Sequence, residues 1–297
     1  MDDRDKRWDR IAGKLDYLLG RLDRFLDDYV PPLPPEDQLF ECHIAFRWRR
    51  VGEGGSFLPV EHPHLPDLND LVGIDLVRDE LLRNTGQFVA GYPANNVLLW
   101  GERGTGKSTC VKGLLRRFSE EGLRLVEVLR DDLFTIPAII APLRKMPQRF
   151  ILFCDDLSFG EGEGGYRELK ALLEGGIEER PSNILFYATS NRRHLLPERM
   201  EDNQGGEIHP EEAVSEKLSL ADRFGLNLSF YSFDQSTYLA IVARYAEKFA
   251  LPMDGEALRR EALQWALFKG SRSGRAARQF IDDLAGRLRV AVPDGMR

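Results

Sequence analysis

Apolar positions change their period along the chain. From residue 4 to residue 30, Trp8, Ile11, Leu15, Leu18, Leu22, Phe25 and Leu26 recur at steps of three and four, the spacing of one helical face. Eight acidic and seven basic residues share positions 1 to 30, so the rest of that helix is charged. Such a stripe packs on its own protein, or meets a partner or a neighbouring subunit. Pro31-Pro32-Leu33-Pro34-Pro35 ends it, because proline lacks the amide hydrogen a helix needs and makes a stiff linker.

Beyond the prolines the apolar residues come in short runs. Phe40 to Arg50 and Phe57 to Val60 flank Gly52-Glu53-Gly54-Gly55, which predicts a hairpin. Leu68 to Asp75 leads into a helix through Leu76, Leu81 and Leu82. Asn95 to Trp100, Leu123 to Leu129, Phe150 to Cys154, Ile184 to Thr189 and Leu226 to Phe230 then read as five strands separated by helical segments. That alternation is the pattern of a parallel α/β sheet. Residues 198 to 216 are polar, contain Gly205-Gly206 and read as a mobile surface loop. From Asp234 the strands stop. Asp234 caps a helix to about Phe249 and Asp254 another to about Phe268. Ser271 or Ser273 caps a third, with Ala277, Phe280, Ile281, Leu284 and Leu288 on its apolar face. The expected organisation is a helix and proline linker at 1–35, a hairpin extension at 36–65, an α/β domain at 66–232 and a small all-helical domain at 233–297.

Composition narrows the classes. A hydrophobic content of 42 % over 297 residues supports a buried core. The net charge of −7 argues against a surface that grips nucleic acid non-specifically. Residues 234 to 297 hold 11 basic and 8 acidic residues, a net +3 too small to argue for DNA. Cys42, Cys110 and Cys154 have no metal-ligand spacing, and Cys110 and Cys154 read as small buried hydrophobes. His62-Pro63-His64 lacks a third ligand and reads as a surface loop. No apolar run approaches the ~20 residues of a membrane span, and the charged N-terminus has no apolar segment behind it. A reducing, cytoplasmic location is the expectation.

The candidate chemistry begins at Gly101-Glu102-Arg103-Gly104-Thr105-Gly106-Lys107-Ser108, a complete phosphate-binding loop set between a predicted strand and a predicted helix that carries Thr109 in its first turn. Polyphosphate needs converging backbone N–H groups at a helix N-terminus. Gly101, Gly104 and Gly106 let the backbone curl, Lys107 reaches the β/γ-phosphates, and the Ser108 hydroxyl ligates Mg²⁺. A glycine-rich turn that binds nothing fits the flanking strand and helix poorly. Asp155-Asp156 closes the strand Phe150 to Cys154: the first carboxylate suits the metal and the second a lytic water. Asn191 closes the next strand, where an amide orients water or touches the γ-phosphate, although Asn is also common in strand-end turns. Arg223 precedes the fifth strand and Arg275 opens the last helix, and either alone would be an ordinary surface charge.

Taken in order, these residues resemble AAA+ ATPases: Walker A at 101–108, Walker B at Asp155-Asp156, sensor 1 at Asn191, an arginine finger at Arg223 and sensor 2 at Arg275. The resemblance covers roughly residues 66 to 290. Gly91-Tyr92-Pro93-Ala94-Asn95-Asn96, Cys154 to Phe159, Tyr187 to His194 and Ser271 to Arg275 are similar to a bacterial AAA+ family catalogued as a domain of unknown function, in which Asp replaces the usual Walker B Glu. The resemblance implies a five-stranded P-loop sheet followed by a helical lid, ATP and Mg²⁺ as cofactors, and nucleotide contacts from Val72, Gly73, Thr105 and Thr109 as well. It also implies a homo-oligomer, a ring or partial ring, in which Arg223 serves the neighbouring subunit's site, with Arg275 sensing nucleotide from the lid. Arg130-Asp131-Asp132-Leu133-Phe134-Thr135 lacks the aromatic–hydrophobic–glycine loop of polypeptide-threading machines. The leading expectation is an oligomeric ATPase that remodels or loads a partner macromolecule, with an unidentified protein client and neither a nucleic-acid nor a membrane signal. An ATP-dependent switch or scaffold with little hydrolysis is the main alternative. A P-loop kinase is the remaining one, and it has no use for an arginine acting in trans.

Overall fold

A computed structural model describes residues 36–52, 54–158, 165–174, 181–192 and 220–291, together with 14, 15, 17, 18 and 21. Two compact units make up the chain, residues 1–42 and 43–297. In the first, Lys14, Leu15, Tyr17, Leu18 and Arg21 are helical and exposed, and helix α1 spans Glu36–Cys42. The remainder of the expected 4–30 helix, the proline linker and the 198–216 loop lie outside the described residues.

Among the described residues of the second unit, the strands are β1 (Ala45–Val51), β2 (Gly54–Pro59), β3 (Val97–Gly101), β4 (Leu123–Glu127), β5 (Arg149–Cys154), β6 (Ile184–Ser190) and β7 (Leu226–Phe230). They form one sheet in the order β2-β1-β4-β5-β6-β3-β7. Only β1 and β2 are antiparallel. This corrects the expectation of five strands. The predicted hairpin supplies the two further strands: β1 pairs in parallel with β4, Ala45 opposite Leu125, and so covers an edge that β4 would otherwise expose. The strand expected from Phe40 begins at Ala45, because Glu36–Cys42 is helical.

Helices pack against the sheet because the central strands are apolar on both sides. Val97, Leu98 and Leu99 are all fully buried, as are Phe150, Ile151 and Leu152. Burying each such large side chain stabilises the fold by about 1.5–3 kcal/mol relative to leaving it exposed. Leu81 and Phe88 from α2 (Asp75–Val89) and Val111, Leu114 and Leu115 from α3 (Lys107–Phe118) join Val97, Leu99, Ile151, Phe153 and Tyr187 in one cluster. Ile136, Ile139 and Leu143 of α4 (Ile136–Leu143) are buried too. A polar knot fixes α2 against the strands: Asn84 Nδ2 donates to Asn95 O at 2.9 Å and to Tyr187 Oη at 3.0 Å, and Thr85 Oγ1 meets the same phenol at 2.9 Å. A further helix, α5, covers Gly165–Glu174.

After β7 come α6 (Gln235–Lys248), α7 (Gly255–Lys269) and α8 (Gly274–Leu288), with their own core of Tyr238, Val242, Ala262, Ala277, Phe280, Ile281 and Leu284. Asp234 caps α6 by accepting from Thr237 N–H at 2.7 Å, and Asp254 caps α7. Of the two candidate serines for α8, Ser273 is the cap, accepting from Ala276 N–H at 3.2 Å. Cys110 and Cys154 are fully buried, and desolvation pushes both thiols up to about 12.

Candidate nucleotide-binding site

The phosphate loop starts where β3 runs into a close contact with β7. Gly101 has φ of 137°, and a Cβ there would stand 1.9 Å from the Phe230 carbonyl oxygen, so only glycine fits. That carbonyl accepts Glu102 N–H at 3.1 Å. Thr105 Oγ1 donates to Glu102 O at 2.8 Å and tightens the turn. Gly104 and Gly106, at φ of 76° and 101°, then bring the chain into α3 with no side chain capping its first amides. Those N–H groups are the free donors an anion needs.

Lys107 is buried and folds back into the loop. Its Nζ donates to Gly101 O at 2.8 Å, Glu102 O at 2.6 Å and Asn191 Oδ1 at 3.3 Å. Burial lowers its pKa, Asp155 and Asp156 oppose that shift, and Arg275 and Arg103 reinforce it. Asn191 in turn donates from Nδ2 to Asp156 Oδ1, so its amide stands between the ammonium and the second strand-end carboxylate. Ser108 Oγ donates to Asp155 Oδ1 at 2.6 Å. Thr189, inside the matched stretch Tyr187 to His194 but given no role there, lies 2.5 Å from the same carboxylate oxygen and accepts Asp156 N–H at 2.9 Å.

The helical segment closes over this loop. Arg275 N–H donates to Gly104 O at 3.3 Å, and a Cβ on Gly104 would come within 3.0 Å of Ser273 Oγ. The segment before α2 reaches the lid as well. Val72 packs against the lid core, and Gly73, at φ of 81°, approaches so closely that a Cβ would stand 2.5 Å from Thr237 Cγ2. Asp70 pairs with Lys248 and, at 3.5 Å, with Arg244. Between sheet and lid lies a cleft of about 1060 Å³.

That cleft brings together Gly104, Thr105, Gly106, Lys107, Ser108 and Thr109 from the loop and α3, Asp155, Asp156 and Asn191 from the strand ends, and Val72 and Arg275. Gly101 contributes its carbonyl to Lys107 without lining the cleft, and Gly73 does not line it either. Arg223 stands apart: it sits half-buried in the turn before β7, donates its N–H to Leu220 O at 3.3 Å, and does not line the cleft. Lys112, Tyr245, Lys248 and Arg278 also line it. No motif marks them: Lys112 lies further along α3, and Tyr245, Lys248 and Arg278 reach the cleft only through the docking of the lid. For Thr189 a faint signal existed, a hydroxyl near the strand end two residues before Asn191.

The residues fit a nucleotide with Mg²⁺. The three loop glycines have the positive φ that other residues rarely adopt, α3 offers uncapped amides, and one hydroxyl and one carboxylate, Ser108 and Asp155, meet at 2.6 Å. Mg²⁺ is commonly held by such a sparse set, with phosphates and water completing it. Among the described residues no group of three or more His, Cys, Asp or Glu side chains is arranged to hold a metal by itself. No described helix is long and apolar enough to cross a membrane.

Comparison with known proteins gives the same architecture. The Holliday junction branch migration motor RuvB of Thermotoga maritima superposes with a TM-score of 0.53 at 18 % identity, covering 76 % of this chain and 67 % of that one. A variant of the same protein gives 0.52 at 18 % identity, covering 75 % and 67 %. In sequence, 61 residues are 39 % identical to the ORC1-type DNA replication protein 9 of Haloarcula marismortui, spanning 20 % of this chain and only 15 % of that protein. Both names belong to proteins of DNA metabolism, whereas the acidic composition here gave no such signal. The model of one family, described as "Protein of unknown function (DUF815)", matches residues 41–288; the chain belongs to that family and has the fold of AAA+ ATPases.

Proposed function

We propose that the protein is a Mg²⁺-dependent ATPase that works as an oligomer and uses hydrolysis to rearrange a partner macromolecule. The observation that carries this reading is the direct hydrogen-bonded set Lys107–Asn191–Asp156 beside Ser108–Asp155, at one end of a cleft shared by the sheet and the lid. In this reading Gly104, Thr105, Gly106 and Thr109 cradle the phosphates, and Lys107 exchanges its loop carbonyls for β/γ-oxygens. Ser108 and Asp155 hold Mg²⁺, which when bound supplies neutralisation of charge on the phosphates. Asp156 accepts the proton of the attacking water, Asn191 keeps that carboxylate in line, Val72 and Arg275 border the nucleotide, and Gly73 lets the Val72 segment come close to the lid. Arg223, outside its own cleft, acts on the site of a neighbouring subunit. By domains, residues 66–232 bind nucleotide, 233–297 form the lid, the hairpin within 36–65 extends the sheet, and 1–35 remain for partner contacts.

The test is phosphate release from ATP with Mg²⁺ over a range of protein concentrations, with and without duplex DNA. Turnover that rises with concentration supports the oligomeric enzyme. Tight ATP binding without turnover at any concentration supports a switch or scaffold instead. Stimulation by DNA would make DNA the client, in keeping with the names of the similar proteins. A pull-down with Asp156→Asn, which holds ATP longer, identifies a protein client.

A further inference from the structure

Thr189 has no role assigned from the sequence and is 2 % exposed, yet it touches both strand-end acids. The direction of its two hydrogen bonds is set by chemistry. The Asp156 amide only donates, at 2.9 Å, and the Asp155 carboxylate only accepts, at 2.5 Å, so the single hydroxyl proton points to Asp155. A third bond runs from Leu157 N–H to the Thr189 carbonyl at 2.7 Å. One residue of β6 therefore holds three consecutive residues past the end of β5.

Those three residues need holding. The parallel pairing of β5 and β6 ends at Cys154 opposite Ala188. Two residues later Asp156 has φ of 55°, left-handed backbone that L residues adopt rarely, Asp and Asn less rarely than others. This turn aims the Asp156 carboxylate at Asn191. At Asp155, Oδ1 receives both Ser108 Oγ and Thr189 Oγ1, while Oδ2 accepts no hydrogen bond among the described residues.

We propose that Thr189 is the positioning residue of this site: its hydroxyl orients Asp155 toward a divalent cation, and its bond to the Asp156 amide holds the turn that presents Asp156. The proposal rests on the nucleotide-binding reading above. Thr189→Val keeps the shape and removes the hydroxyl, and Thr189→Ser keeps the hydroxyl. The full chain is loaded with ATP and titrated with Mn²⁺ by electron paramagnetic resonance. Thr189→Val should weaken Mn²⁺ binding about 10–100-fold, the usual loss when a residue that orients a metal ligand is removed. It should lower kcat by a similar factor, leave KM and metal-free ATP affinity unchanged, and be rescued by Thr189→Ser. Should Thr189→Val fail to fold, Thr189→Cys, a far weaker donor of similar size, takes its place. Wild-type Mn²⁺ affinity in the hydroxyl-free variant, or equal impairment of the serine variant, overturns the proposal. A separate readout is hydrogen exchange at the Asp156 amide, slow in wild type and Thr189→Ser and fast in Thr189→Val. If the wild type binds no ATP, the nucleotide reading fails, but that exchange pattern still supports the clamp, and identical exchange in all three proteins overturns it.

Discussion

Gly101→Ala tests whether the phosphate loop is shaped by the contact between β3 and β7. The added methyl would sit 1.9 Å from the Phe230 oxygen, 2.7 Å from its carbonyl carbon and 3.0 Å from its Cα, where ordinary contact begins at 3.4 Å. All three atoms are backbone within a paired strand, so no side chain can swing aside. Relief requires separating the strands by more than an ångström, which breaks the bond from Glu102 N–H to Phe230 O, a loss of about 1 kcal/mol. Overpacking adds about 1–3 kcal/mol, and a non-glycine residue at this φ costs roughly 1–3 kcal/mol more. The sum, about 3–7 kcal/mol, is a large share of a typical stability of about 5–15 kcal/mol. Gly122→Ala is the control: its φ is 95°, but nothing lies within 4 Å of the added methyl, so only the backbone penalty applies. Urea unfolding of both variants gives the comparison, and ATP affinity gives a second one. Gly101 O accepts from Lys107 Nζ, so ATP binding should weaken in Gly101→Ala and not in Gly122→Ala. Equal losses of stability in the two variants would refute the steric argument.

Other substitutions address the chemistry. Asp155→Ala should lose Mg²⁺-dependent turnover, whereas Asp156→Asn should bind ATP and hydrolyse it about 10²-fold or more slowly, since an amide cannot take a proton; wild-type turnover in the latter would require another base. Arg223→Ala should bind ATP yet hydrolyse it about 10³-fold more slowly, and mixing it with Lys107→Ala should restore activity at interfaces that join an intact loop to an intact arginine. Co-assembly without restored activity would end the trans assignment. Lys107 also carries a pH signature. Because burial lowers its folded pKa below the 10.5 of an ordinary lysine, the unfolded chain binds the extra proton between the two values, and stability rises with pH in that window. Lys107→Met should lack this rise in urea midpoints, and parallel pH profiles for the two proteins would contradict the assigned burial.

What the sequence revealed and what it hid divide along locality. The strands Val97–Gly101 and Arg149–Cys154 were legible because strands covered on both faces must be apolar throughout. The caps Asp234 and Asp254 were legible because a carboxylate bonding amides two or three residues ahead is a local event. Phe40 misled because an apolar residue next to a strand pattern carries no sign of belonging to the preceding helix. A helical segment between the second and third strands was expected, but its bounds were not, since proline at 137 and 142 reads as a breaker; proline is tolerated in a first turn, and the second lies near the end of Ile136–Leu143.

The same division runs through the site. Gly104, Lys107, Ser108, Asp155 and Asn191 were recognisable because phosphate and metal chemistry demand those residue types next to strand ends, and the cleft gathers them. Thr189 lay within the matched stretch Tyr187 to His194 but was not singled out, since threonine at the end of a buried strand is ordinary β composition; its importance arises only when the Asp156 amide turns to meet it. Nor could the sequence show that Arg275 N–H reaches Gly104 O, a contact between residues 171 positions apart in which Ser273 packs so closely over Gly104 that a Cβ would come within 3.0 Å of its Oγ. Local chemistry thus names the participants, and long-range backbone contacts at Gly101, Gly104 and Thr189 set their geometry. Substitutions should therefore fail in different ways: changes at Lys107 or Asp155 remove a function and leave the fold, whereas a methyl at Gly101 attacks both at once.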